Sequence, residues 1–157
     1  MSDVGELRKE YILQGLHRKD MGPDPLEVFK LWFEESVRTA GDREPNAMTL
    51  ATTSREGAPS ARVVLLKGFD ERGLIFFTNY KSRKAQQLAE NPSAAVNFHW
   101  PWLERQIQIE GRAEKASREE SEIYFNKRPI GRENRLHDRF LYTRQGAGHW
   151  RIDRLSP

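Results

Sequence analysis

SARVVLLKGFDERGLIFFTNYKSRKAQQLAENP, residues 60–92, decides the fold. Two apolar runs, Val63–Leu66 and Leu74–Phe77, stand on either side of Phe69-Asp70-Glu71-Arg72-Gly73. Runs of this length, rich in Val, Ile and Phe and separated by an Asp/Gly cluster, predict strands over Ser60–Lys67 and Leu74–Thr78, with residues 69–73 as the turn. The pattern then changes. Ser82 can cap a short helix to about Glu90, which Asn91-Pro92 halts.

The strand pattern extends in both directions. Ala47–Thr53 precedes the turn-rich SREGAP, residues 54–59, and Ala94–Trp100 and Glu104–Lys115 follow the helix. In the last of these, Ile107 and Ile109 alternate with Gln106, Gln108 and Glu110, the period of a half-buried strand. Upstream, Asp24-Pro25-Leu26-Glu27 starts a helix, with Asp24 as cap, Pro25 in the first helical position and Glu27 able to reach back. Leu26, Phe29, Phe33 and Val37 fall at helical spacing, and Gly41 can end the run. Ser117-Arg118-Glu119-Glu120 resembles a capping box for a helix to about Lys127. Near the end, Phe140–Arg144 and His149–Leu155 flank Gln145-Gly146-Ala147-Gly148 as a hairpin. The sum is mainly β with α-helices: an α+β barrel of antiparallel strands decorated by helices. Residues 1–22 read as a charged arm and 23–157 as one domain.

Composition narrows the chemistry. The 157 residues suffice for one core, and 26 basic against 23 acidic residues leave a net charge of +3. That mild excess suits an anionic small ligand as readily as nucleic acid. With no cysteine, thiol catalysis, disulfides and zinc–thiolate sites are excluded. The histidines, His17, His99, His137 and His149, show no metal-ligand spacing. The polar start MSDVGELRKEY has no signal-peptide core, and no run reaches the roughly 20 apolar residues of a membrane span. A cytoplasmic protein without nucleic-acid or membrane partners is therefore expected.

Cations recur where a phosphate would want them. Arg62 and Lys67 bracket one apolar run, and Arg83 and Lys84 open the short helix, whose free amides and dipole favour an anion. The competing reading is solvated surface charge. Arg135, His137 and Arg139 would share one face of a strand, a grouping that an anionic ligand would stabilise and that an exposed edge strand would also explain. His137 and Asp138, as strand neighbours, point to opposite faces and form no catalytic dyad. No Gly-rich phosphate loop or dinucleotide fingerprint is present.

These residues, taken in order, resemble the FMN-binding split-barrel family of the pyridoxine/pyridoxamine 5′-phosphate oxidases. The likeness is carried by Leu7-Arg8-Lys9-Glu10-Tyr11, Arg62–Lys67, Phe76-Phe77-Thr78-Asn79 and Ser82-Arg83-Lys84. It continues through Leu103-Glu104-Arg105-Gln106, Tyr124-Phe125 with Arg128-Pro129, Asn134–Phe140 and the ending Ile152–Pro157.

The resemblance implies FMN as cofactor. Arg62, Lys67, Arg83 and Lys84 would surround its phosphate and ribityl chain, and Val63, Val64, Leu65 and Leu66, with Phe77 and Thr78, would line the flavin. Gln106 would hydrogen-bond the ring, with Arg139 near it. Lys67, Tyr124 and Arg128 would hold the substrate phosphate. Arg135 and His137 would lie against the pyridine ring as the catalytic pair, and Arg8 and Tyr11 would close over the site. The implied reaction takes pyridoxamine or pyridoxine 5′-phosphate to pyridoxal 5′-phosphate. A hydride passes from the substrate C4′ to the flavin and then two electrons pass to O2, giving peroxide. A homodimer is implied as well, and no metal.

The chain departs from that pattern in one place. After Arg128-Pro129 the family runs on for roughly fifty to sixty residues, a length judged against domain size, before its R-L-H-D-R segment. Here only Ile130–Asn134 intervene. The absent stretch would carry further groups for the FMN phosphate, a tryptophan beside the flavin and a serine on the substrate phosphate. A binding protein with impaired oxidase activity is the alternative this motivates.

Overall fold

The computed structural model describes residues 24–115, and residues 147–154 as backbone. The described chain runs α1 (Pro25–Thr39), β1 (Ala47–Thr53), β2 (Pro59–Asp70), β3 (Gly73–Asn79), α2 (Arg83–Glu90), β4 (Ser93–Trp100), a 3-10 turn (Pro101–Leu103), β5 (Arg105–Lys115) and β6 (Ala147–Arg154). The strands close a barrel in the order β1-β2-β3-β6-β5-β4. The expected mainly antiparallel barrel with helices is what the chain forms. No described helix is long and apolar enough to cross a membrane.

The described residues fall into two units, the first up to Pro45 with His99–Gln106, the second Asn46–Phe98 with the chain from Ile107 onward. In the first unit, Asp24 caps α1 as its sequence indicated, its Oδ1 accepting from the Leu26 amide at 2.9 Å. Phe29 stacks on Phe33 and Phe33 tilts against Trp100, whose indole N–H donates to the Pro45 carbonyl at 2.9 Å. Arg105 pairs with Glu35 and lies over the Trp32 ring, 4.6 Å from its centroid.

The second unit is the barrel. β1 pairs with β2 in the register Met48↔Val64 and Leu50↔Arg62, so the alternating side chains of both strands share an inner face. Met48, Leu50, Val64, Leu66, Leu74, Phe76, Val96 and Phe98 are buried and form the core. α2 seats on the barrel end through Ala85 and Leu88, which are 2% and 1% exposed. Full burial of a leucine contributes about 1.5–3 kcal/mol.

Several strand boundaries shift by a residue from the sequence expectation, and the shifts at the end of β2 and the start of β6 are larger. β2 continues to Asp70, and the turn shrinks to Glu71-Arg72 with Asp70 opposite Gly73. Asp70 Oδ1 accepts from the Arg72 amide at 2.9 Å, a side-chain turn that lets the ladder run closer to the tip. β6 begins at Ala147, so Ala147 and Gly148 are strand residues opposite Asn79 and Thr78, not part of a turn. β3 extends to Asn79, and its last backbone groups draw those two residues into the ladder. The arm 1–22, the helix expected over 117–127 and the strand expected over 140–144 lie outside the described residues.

Candidate functional site

The site begins at Ser82. Its Oγ accepts from the Ala85 amide at 3.4 Å, and its own N–H donates to the Asn79 carbonyl at 2.9 Å. The Ser82 hydroxyl also lies 3.1 Å from Thr78 Oγ1, which ties the start of α2 to the end of β3. A capped helix start satisfies some of its orphan amides. Among the described residues, the amides of Arg83 and Lys84 meet no acceptor.

The first turn of α2 carries Arg83 and Lys84 and no acidic residue. Cations are misplaced there, since the positive end of the helix dipole repels them. The inner face of β2 adds Arg62, beside Ser60, at the same barrel end. Burial, and secondarily the Arg83 charge, pulls Arg62 below the ordinary guanidinium range. Burial, and secondarily Arg62, pulls the Lys84 ammonium below its usual value. Among the described residues no carboxylate pairs with Arg62, Arg83 or Lys84. A cluster of like charges at a helix start, with free amides and no internal counter-charge, is complementary to a phosphate monoester. The residues present therefore fit the phosphate end of FMN.

Arg62 is held from several directions. Its Nη1 donates to the Leu50 carbonyl at 3.2 Å and to Thr52 Oγ1 at 2.6 Å. Its Nη2 donates to Ser60 Oγ at 2.7 Å and to Gln87 Oε1 at 3.3 Å. Thr52 and Ser60 each donate their hydroxyl to the same Gln87 oxygen at 2.7 Å. Sequence reasoning missed Thr52, Ser60 and Gln87. The available signal was Gln87 itself, a polar residue between Ala85 and Leu88 on the face of α2 that packs inward.

The structure brings Arg62, Arg83 and Lys84 together. Val64, Leu66 and Thr78 are buried on the inner faces of their strands, whereas Val63 is 66% exposed and Leu65 and Phe77 are half-buried on the opposite faces. Lys67 is half-buried where the β2–β3 register shifts between Leu66 and Gly68, so a strict two-residue period does not carry to it. Gln106 is exposed near the start of β5 and belongs to the first unit. Arg8, Tyr11, Tyr124, Arg128, Arg135, His137 and Arg139 lie outside the described residues. No group of three metal-ligating side chains occurs among the described ones.

A cleft of about 320 Å³ opens on the barrel between Ala51, Thr52, Thr53, Pro59, Ala95 and Arg112, and it shares Thr52 with the Arg62 network. It contains none of the clustered cations.

A family model described as pyridoxamine 5′-phosphate oxidase matches residues 33–146. A pyridoxine/pyridoxamine 5′-phosphate oxidase of Cupriavidus necator is 41% identical over 213 aligned positions that cover all of both chains. Since this chain has 157 residues, at least 56 of those 213 positions hold none of its residues. Among solved structures, PhzG from Burkholderia lata 383, in complex with tetrahydrophenazine-1-carboxylic acid, superposes with a TM-score of 0.78 at 25% identity, over 90% of this chain and 83% of that one. A pyridoxamine 5′-phosphate oxidase-related, FMN-binding protein from Nostoc punctiforme PCC 73102 gives 0.64 at 17% identity, over 86% and 82%.

Proposed function

Because the chain belongs to the pyridoxamine 5′-phosphate oxidase family, we propose that it binds FMN and oxidises pyridoxamine or pyridoxine 5′-phosphate to pyridoxal 5′-phosphate with O2 as acceptor. The observation that carries this reading is the Arg62/Arg83/Lys84 cluster at the start of α2. It offers charge from all three cations, the planar fork of Arg83 and free amides to a phosphate, and no carboxylate neutralises it among the described residues. FMN, when bound, supplies the two-electron chemistry.

The protein's part is binding and alignment. Arg62, Arg83 and Lys84 hold the cofactor phosphate. The backbone of Val63–Leu66, with Phe77 and Thr78, would border the flavin, and Arg139 would lie near it. Lys67, Tyr124 and Arg128 would take the substrate phosphate, Arg135 and His137 would orient the pyridine ring, and Arg8 and Tyr11 would cover the site. Arg135 orients and does not exchange protons, since a guanidinium stays charged. The working unit is a cytoplasmic homodimer.

A second reading rests on the aligned positions that this chain lacks. It makes the chain a flavin or pyridoxal-phosphate binder with little turnover. Going without a charge-assisted hydrogen bond to a phosphate costs on the order of 1.5–3 kcal/mol of binding. The deciding experiment is oxygen uptake by FMN-reconstituted protein given pyridoxamine 5′-phosphate. Uptake with stoichiometric peroxide and pyridoxal 5′-phosphate supports the oxidase. Bound FMN without uptake supports the second reading.

A further inference from the structure

Gln87 is 4% exposed and stands at the centre of the network that fixes Arg62. Its Oε1 meets three donors, from Thr52, Ser60 and Arg62. The orientation of the carboxamide follows from chemistry. A guanidinium only donates, so the amide must present oxygen and not nitrogen to it. Arg62 in turn spends both protons of Nη1 on Leu50 and Thr52 and both of Nη2 on Ser60 and Gln87. Its terminal nitrogens are thereby committed, and the guanidinium acts from a fixed place.

Gln87 also differs from the other partners in origin. Leu50 and Thr52 lie on β1 and Ser60 on β2, whereas Gln87 lies on α2, the helix whose first turn bears Arg83 and Lys84. We infer that Gln87 is a positioning residue: through Arg62, Thr52 and Ser60 it locks the barrel cation to the helix cations and sets the spacing of the phosphate cradle. The inference rests on the FMN reading for the identity of the anion, but the Gln87–Arg62 coupling can be measured without it.

Two measurements test it on the full-length protein. The first is FMN affinity by quenching of flavin fluorescence, in a double-mutant cycle. Gln87→Leu is expected to raise the FMN Kd about tenfold in the parent chain and less than about twofold in the Arg62→Ala background. The second is 15N NMR of arginine side chains in the protein without added flavin. The Arg62 guanidinium protons are expected to be protected in the parent, fast-exchanging in Gln87→Leu, and protected again in Gln87→Glu, which keeps an oxygen acceptor. If Gln87→Leu does not fold, Gln87→Met takes its place, with the same length and no strong acceptor.

An equal loss of FMN affinity with and without Arg62, or Arg62 protons unaffected by loss of Gln87, overturns the inference. Failure of the parent chain to bind FMN refutes the cofactor reading instead. In that event the NMR comparison still decides whether Gln87 holds Arg62.

Discussion

Lys84→Met separates binding from folding, because the structure gives the two effects opposite signs. Lys84 is half-buried in the first turn of α2, and its ammonium is pulled below the ordinary range by burial and by Arg62. Its charge is therefore a burden on the protein without ligand, through the helix dipole and through repulsion. Methionine keeps the stem and removes the charge, so Tm in the absence of FMN should hold or rise. Facing a phosphate, the same charge is an asset. An ion pair at 4 Å is worth about 1 kcal/mol in bulk water and about 4 at the effective dielectric of a protein surface. A half-buried group falls between, near the 1.5–3 kcal/mol of a hydrogen bond to a charged partner. FMN affinity should thus fall by roughly 10- to 150-fold. Fluorescence titration and thermal unfolding of the same preparations read both quantities. A variant that binds FMN as tightly as the parent, or that loses affinity only in step with a falling Tm, refutes the reasoning.

Further outcomes follow from the same geometry. FMN affinity should rise as pH passes about 6, where the phosphate gains its second charge, and fall at alkaline pH earlier than an ordinary lysine would dictate, because the Lys84 pKa is lowered; titrations across pH in the parent and in Lys84→Met check this, the variant lacking the alkaline fall. The sign for stability is the reverse. With its folded pKa depressed, Lys84 binds fewer protons folded than unfolded, so its burden is lifted as pH climbs from the folded value towards the unfolded one. Ser82→Ala removes the cap on Ala85 and should cost about 0.5–2 kcal/mol in denaturant unfolding. Leu88→Ala, at a site 1% exposed, should cost about 2–5 kcal/mol and loosen FMN as α2 shifts on the barrel.

Much of the barrel could be read from the sequence, because strand and helix periods are local signals. Ala47–Thr53 was legible to the residue, and Ser82 announced α2 through its capping chemistry. The ends of β2 and β6 were not, since pairing with β3 fixes them and pairing is non-local. In the site, Arg62, Arg83 and Lys84 were visible as cations near element ends. That Arg62 turns inward onto Gln87 was not visible, because 25 residues separate the two and only closure of the barrel end brings them together. The face of Lys67 could not be read from spacing either, since the register shift beside it breaks the two-residue rule.

The three-cation cradle of Arg62, Arg83 and Lys84 should hold a flavin phosphate. The measurement that tests it most directly is titration of the purified protein, stripped of any flavin, with FMN and in parallel with riboflavin. FMN should bind saturably with an affinity that riboflavin, lacking the phosphate, does not match, and that falls when Arg83 and Lys84 are replaced together. Equal affinity for FMN and riboflavin, or no binding of either, would contradict it.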